Sequence, residues 1–327
     1  MSRSSAERGT ARIAVVGAST PEGARLREAL AARGVPGERV DLYGATGGEV
    51  VLSEYDGEAR IVQAPLLEDI ASHELIFLCE RGDVARRAAD LAGDRRFVID
   101  VVGALDGEAG PRRVHVDLNR DAARNGQCLA VPHPVGAVLA ELLLPLDVTF
   151  GVAEAVAVVL RPAADFGERG IEELRDQTVR LLSFAAVPVD TFGRQLAFNV
   201  IPHASLPPES VGLESRIAAD ERDVLGWTRP KLSLRLFTVP LFYGHGLQLR
   251  IRLERPAERD GVARALERWS DGDGPSTPLE VTGSAQIRVA EIVEDGLGGF
   301  WIWVVAGETA TRGATQAVRL AAELADI

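Results

Sequence analysis

Apolar positions follow two regimes along the chain. In the first, short apolar runs alternate with segments of helical spacing. Residues 12–16 are a β-branched run that ends in a glycine turn, which predicts a buried strand. Residues 22–33 place Leu26, Ala29 and Leu30 at helical spacing and stop at Gly34 and Pro36. Short strands are predicted at 40–43, 61–64, 75–79 and 97–102, with a helix at 83–91. A further strand at 128–131 leads into a helix at 136–144. Strands that alternate with helices imply a mostly parallel, doubly wound sheet.

The pattern changes near residue 148. Residues 148–160 are long and apolar and predict one extended strand. Amphipathic helices are predicted at 171–184 and 215–227, and strands at 231–242 and 246–254. The last of these alternates Leu247, Leu249, Ile251 and Leu253 with Gln248, Arg250, Arg252 and Glu254. One face is therefore packed and the other is wet or paired with a partner. A helix at 261–269, strands within 277–306 and a turn at 295–299 follow. A closing helix at 313–325 carries Ala317, Leu320, Ala321 and Leu324 on one stripe. The expected fold class is an α/β Rossmann-like doubly wound parallel sheet plus an α+β domain with a mostly antiparallel sheet. The expected division is residues 1–132, completed by the helix 312–327, and residues 133–311.

Charge and cysteine usage narrow the function classes. The chain has 327 residues, a formal net charge of -12 and a pI near 5.0. Such a chain repels nucleic acid and anionic membranes unless it carries a basic patch, and no basic run is present. Arginine supplies nearly all the positive charge; Lys231 is the only lysine. Cys79 and Cys128 form no CxxC or Cys/His cluster, so no metal site is expected. Both lie in apolar runs that predict buried, inert thiols. The polar start of the chain is unlike a signal peptide, and no apolar run approaches a membrane span. A cytoplasmic protein is the expectation.

The turn G-A-S-T-P-E-G after the first strand opens a helix, the setting of a dinucleotide fingerprint. Gly17, Ser19, Thr20, Pro21, Glu22 and Gly23 are its candidate cofactor residues. The fingerprint is weakened. Thr20 stands where a middle glycine lets phosphate approach, Pro21 lacks an N–H, and Glu22 puts a carboxylate in the first turn. Nucleotide binding and a turn that caps its own helix both remain open.

Two longer stretches carry a family resemblance. FGRQLAFNVIPH (192–203) and VPLFYGH (239–245) resemble the aspartate-semialdehyde dehydrogenase family. In the same order as the family lie GASTPEG, FVIDVVGAL, VPHPVG, FGERGIEEL and VVAGETATRGA, so the likeness runs over about residues 11–327. The resemblance implies an NADPH-dependent reduction of an acyl phosphate through a cysteine thioester, with a histidine as acid/base. It also implies NADP or NAD as cofactor, amino-acid biosynthesis as the setting, and a second domain that forms a dimer. A thiolate is the nucleophile such chemistry needs, and planar guanidinium groups suit carboxylates and phosphates.

Carried over position by position, the resemblance places the family's nucleophile at Pro134 and the residue before it at His133. The acid/base histidine is kept as His245, and a glutamate is kept as Glu221. An arginine position is Thr238, a lysine position is Val224, and a phosphate-gripping arginine falls on Asp106. A glutamine becomes Arg161, the loop after it carries Ala164 and Asp165, and the arginine for the adenosine 2′-phosphate becomes Thr46. Loss of a nucleophile alone costs about a millionfold in turnover. His133 and Cys128 are the substitutes within reach in sequence. Glu221 reads as a solvated or salt-bridged carboxylate, and Arg161 as an internal ion pair with Asp165 and Asp106. Two readings follow. One is a catalytically inactive relative, a structural or regulatory homodimer or a heterodimer with an active relative, with Trp301 and Trp303 serving its surface. The other is an NAD(P)-dependent oxidoreductase that transfers hydride directly to an aldehyde or acyl substrate, with His245 as proton donor.

Overall fold

The structure is a computed structural model. It describes residues 11–44, 51–93, 96–107, 110–124, 127–207, 212–270, 277–325 and 327. The chain divides into two compact units, Met1–His133 with Ala310–Ile327, and Pro134–Thr309.

The first unit begins with β1 (Ile13–Val16), α1 (Pro21–Ala32), β2 (Val40–Tyr43), β3 (Val51–Tyr55) and β4 (Glu58–Gln63). It continues through α2 (Leu67–Ala71), β5 (Leu75–Leu78), α3 (Asp83–Ala92), β6 (Phe97–Asp100), β7 (Arg112–Arg113) and β8 (Cys128–Ala130). The strands form one sheet in the order β3-β4-β2-β1-β5-β6-β8-β7. All neighbours are parallel except β3 and β4. The central strands β1 and β5 are buried along their whole length, because helices cover both faces of a parallel sheet. The order reverses between β1 and β5, the switch point where ligands sit in open α/β sheets.

The second unit starts with α4 (Pro134–Phe150) and β9 (Val152–Arg161), then α5 (Gly167–Leu182), β10 (Ile201–Pro202) and α6 (Leu213–Leu225). It ends with β11 (Leu232–Thr238), β12 (His245–Leu253), α7 (Arg259–Ala265), β13 (Ile287–Glu294) and β14 (Gly299–Ala306). Its sheet runs β10-β11-β9-β12-β14-β13, parallel only between β9 and β11. The last helix, α8 (Thr309–Ala325), returns to the first unit. There Ala317, Val318, Leu320 and Ala321 pack into a core with Val15, Phe77 and Ile99.

Both sheet types match the expectation; several details do not. Residues 148–150 are the end of α4, not the start of a strand, and β9 begins at Val152. The helix runs through Pro145 because Leu146, one residue on, is fully buried, and tertiary packing overrides the local cost of proline. α4 buries every residue from Val135 to Leu143, as a helix at the centre of a core does. The pair β3 and β4 was only partly foreseen, since Leu52 and Ile61 are exposed and give no clean buried run. Cys128 is exposed rather than buried, because it begins a short strand of which only Leu129 and Ala130 face the core.

α4 carries the second core, so a cavity there should be costly. Leu139→Ala, at a fully buried position, is expected to lower unfolding free energy by about 3 kcal/mol. Leu182→Ala, on an exposed side chain, should leave the denaturation midpoint unchanged.

Candidate functional site

Each unit holds its own candidate site. In the first unit the glycine turn lies at the end of β1, beside the end of β5 at the switch point. Gly17 and Ala18 both donate their N–H to the Tyr43 carbonyl at 2.9 Å, and Thr20 donates its N–H to the Gly17 carbonyl at 3.0 Å. The Thr20 hydroxyl oxygen accepts from the Gly23 N–H at 3.1 Å and so caps α1. That hydroxyl also sits 2.8 Å from the Gly17 carbonyl and 2.9 Å from the Cys79 carbonyl, to one of which it donates. The N–H groups of Gly17, Ala18, Thr20 and Gly23 are thus all spent within this unit, two of them on β2, and Pro21 has none.

Glu80, which follows Cys79 at the end of β5, was not singled out in the sequence. Its side chain lies against Gly17: a Cβ there, at φ +82°, would come within 2.7 Å of Glu80 Cβ. Burial pushes the Glu80 carboxyl up to about 7. A diphosphate entering this turn would meet a carboxyl group and the first-turn Glu22. The signal that could have found Glu80 is its place directly after an apolar strand next to the glycine turn. Thr46 lies outside the described residues. Asp106 is not an open repulsive charge: it pairs with Arg113 of the same unit. Burial raises the Asp106 carboxyl, and the Arg113 charge opposes that rise. His133 ends this unit and is half-buried.

The second unit gathers more of the predicted residues. Pro134 is the first residue of α4, where its fixed φ and missing N–H cost nothing. Two residues on, Gly136 leaves room for a carboxyl group: a Cβ there would lie 3.3 Å from Glu221 Oε1 and 3.6 Å from Ile217. Glu221, on α6, is fully buried, and neither of its oxygens has a hydrogen-bond partner. This corrects the expectation of a solvated or salt-bridged carboxylate. Burial, with the Asp220 charge beside it, pushes the Glu221 carboxyl well above the ordinary range, so it is held as the neutral acid. Val224, at the lysine position, is a buried apolar residue of the same helix.

A second cluster sits at the ends of three adjacent strands. Arg161 ends β9, Thr238 ends β11 and is its register partner, and His245 begins β12. Gly246 pairs with Leu160, which sets His245 beside Arg161. By strand alternation all three point to the same face as Val159, Leu236 and Leu247, the face that α4 covers. Asp165, in the turn after β9, joins two of them. Its Oδ2 accepts from Arg161 Nε at 2.8 Å and lies 3.1 Å from His245 Nε2. Burial would raise the Asp165 carboxyl, but the His245 and Arg161 charges and hydrogen bonds hold it far below the ordinary carboxylate range. The Arg161 guanidinium also lies over the Phe166 ring, 5.1 Å from its centre. Ala164 stands in the same turn and offers only backbone.

The two thiols do not supply the missing nucleophile. Cys79 is buried, and desolvation with nearby carboxylates pushes its thiol well up. Cys128 is exposed at the surface, yet the protein atoms packed about its sulfur desolvate the thiolate and, with the Asp100 charge, push the thiol up to about 11. Neither provides a thiolate at neutral pH. No group of His, Cys, Asp and Glu among the described residues is arranged to hold a metal ion. No helix among them is long and apolar enough to cross a membrane.

A Rossmann-like unit joined to a unit with a mostly antiparallel sheet and a strand-end histidine is the architecture of two-domain dehydrogenases of the semialdehyde type. Residues 143–308 match the family model described as semialdehyde dehydrogenase, dimerisation domain, and the chain belongs to this family. Among curated relatives, it is 27% identical to the USG-1 protein homolog of Pseudomonas aeruginosa, over 86% of this chain and 87% of that protein. It is 24% identical to the aspartate-semialdehyde dehydrogenase of Rickettsia bellii, over 95% of this chain and 97% of that one. A solved structure of a probable aspartate-semialdehyde dehydrogenase from Pseudomonas aeruginosa superposes with a TM-score of 0.82 at 25% identity, covering 96% of this chain and 98% of that one. Aspartate semialdehyde dehydrogenase II from Vibrio cholerae shares the fold at a TM-score of 0.83 and 22% identity, over 96% and 99% of the two chains.

The Glu80 carboxyl makes a pH prediction. Its pKa in the fold, about 7, lies above the ordinary 4.5, so the fold binds this proton more tightly than the unfolded chain does. Its contribution to stability is present below the ordinary value and is lost as pH rises through about 7. Glu80→Gln is therefore expected to raise the melting temperature at about pH 8 and to leave it unchanged at about pH 4. Equal shifts at both values, read by calorimetric melting, would show that Glu80 is not buried as described.

Proposed function

We propose that this chain is a non-catalytic member of the semialdehyde dehydrogenase family that works as a dimer. The observation that carries the reading is Pro134 at the first position of α4, where the resemblance puts the nucleophile. Neither Cys79 nor Cys128 offers a thiolate in its place. The glycine turn supports the same reading. With its N–H groups spent internally and Glu80 against Gly17, it suits a self-capped helix better than the diphosphate of NADP or NAD. The likeness to USG-1 homologs as well as to aspartate-semialdehyde dehydrogenases is consistent with a member that departs from the family chemistry.

The dimer rests on the family model, whose description is a dimerisation domain. The face of the second sheet away from α4 supports it. Trp301 is 40% exposed there, and Val156, Val158 and Trp303 are only partly covered. A homodimer is the proposed state; a heterodimer with an active relative is the other outcome of the test. His245 keeps a second reading in view, direct hydride transfer to an aldehyde, because Asp165 orients its ring and leaves Nδ1 without a partner.

The purified chain should sediment as a dimer and give no turnover above a protein-free blank with aspartate semialdehyde, phosphate and NADP or NAD. Calorimetric titration should show no saturable binding of either dinucleotide. Dinucleotide-dependent oxidation or reduction that His245→Ala abolishes would overturn the proposal.

A further inference from the structure

The first unit carries a groove that neither the glycine turn nor the strand-end cluster uses. It lies between α8 and the short turn Arg120–Ala123, beside the starts of β6 and β8. The strands from β1 through β5 to β6 and β8 are parallel, and the glycine turn follows the end of β1. The two places therefore lie at opposite ends of the sheet. The groove measures about 700 Å³, within the range of small-molecule sites. Phe97, Ala123, Leu320 and Leu324 form its apolar floor, with Phe97 and Leu324 at the half-covered edge of the core. On α8, Leu320, Glu323 and Leu324 share one face, because side chains three and four residues apart are neighbours on a helix. Arg120, Asp121, Arg124 and Glu323 supply the charged rim. Arg124 pairs with Asp121 at 2.8 Å, and that pair is neutral. Arg120 on one wall and Glu323 on the other have no ion pair among the described residues, with each other or with any third group.

We infer that this groove binds a free α-amino acid with a large apolar side chain, its carboxylate on Arg120, its ammonium on Glu323 and its side chain on Phe97 and Leu324. The two unpaired charges select that class. An anion would answer Arg120 but bring a like charge to Glu323, and a cation would do the reverse. An uncharged apolar molecule would cover the floor and leave both walls unanswered. A zwitterion meets both walls at once. In an α-amino acid the two charged groups and the side chain branch from one carbon, so the side chain can turn to the floor while the charges diverge to the walls. The planar guanidinium of Arg120 suits a carboxylate, and the Glu323 carboxylate accepts from an ammonium. Both rim side chains are exposed, so water screens each ion pair. The charges then set which ligand binds more than how tightly it binds, and the floor supplies the hold.

This groove does not depend on whether the chain has lost its chemistry, and its test uses neither cofactor nor turnover. The full-length protein is titrated by calorimetry with phenylalanine, phenylpropionate, phenethylamine and glycine, beside Arg120→Gln and Glu323→Gln variants. Both substitutions fall on exposed side chains, and melting curves check that the variants fold. Phenylalanine is expected to saturate one site per chain. Phenylpropionate lacks the ammonium and phenethylamine lacks the carboxylate, and each should bind about five-fold more weakly. Glycine, which has nothing to lay on the floor, should not bind measurably. Glu323→Gln should bind phenylalanine no better than phenylpropionate, and Arg120→Gln should bind it no better than phenethylamine. A general loss of stability would not move these preferences in opposite directions. No saturable binding of phenylalanine, equal binding of either analogue by the unaltered protein, or unchanged preferences in either variant would overturn the proposal.

Discussion

A carboxylate at the end of β9 sets the shape of the second unit's site. Asp165 meets both Arg161 and His245 through one oxygen, and a buried arginine without such a partner would not be tolerated. The contact ties the turn after β9 to the first residue of β12, the strand on its other side. It fixes the imidazole with Nε2 toward Asp165 and leaves Nδ1 free to act. The orientation of the histidine and the position of the guanidinium both follow from this one acceptor.

The core beneath it imposes a second constraint. α4 is apolar around its circumference and fills the space between the sheet and α6. Its first turn admits a glycine at 136, against which the neutral Glu221 carboxyl lies. Proline at 134 suits a helix start and contributes no reactive group. The same helix that stabilises the unit therefore begins without a nucleophile. In the first unit the comparable economy is the glycine turn, where Thr20 and the Tyr43 carbonyl satisfy donors from within.

Much of this was legible in the sequence. Alternation of short apolar runs with helical segments gave the parallel sheet, and the alternation at 247–254 gave β12 with its packed and outer faces. The motif positions placed Pro134, Glu221 and His245 in the second unit. What sequence could not show is partnership. Glu221 reads as an ordinary helix carboxylate, because nothing in one dimension reveals that Gly136 of α4 lies against it. Asp106 and Arg113 are seven residues apart, and only the folded chain shows them paired. Glu80 is hidden for the same reason, since its neighbour Gly17 lies far away in sequence. The end of α4 is hidden because an apolar stretch cannot by itself separate a helix end from a strand start. The exposure of Cys128 is hidden because its apolar run does not show which end of the short strand reaches the surface.

The central claim is that the fold persists without the thioester route. It is tested most directly by intact-protein mass spectrometry after incubation with β-aspartyl phosphate and quenching in acid. The unmodified mass is expected throughout. An added aspartyl group, whether on Cys79, Cys128 or His133, would show that another side chain has taken over as nucleophile and would contradict it.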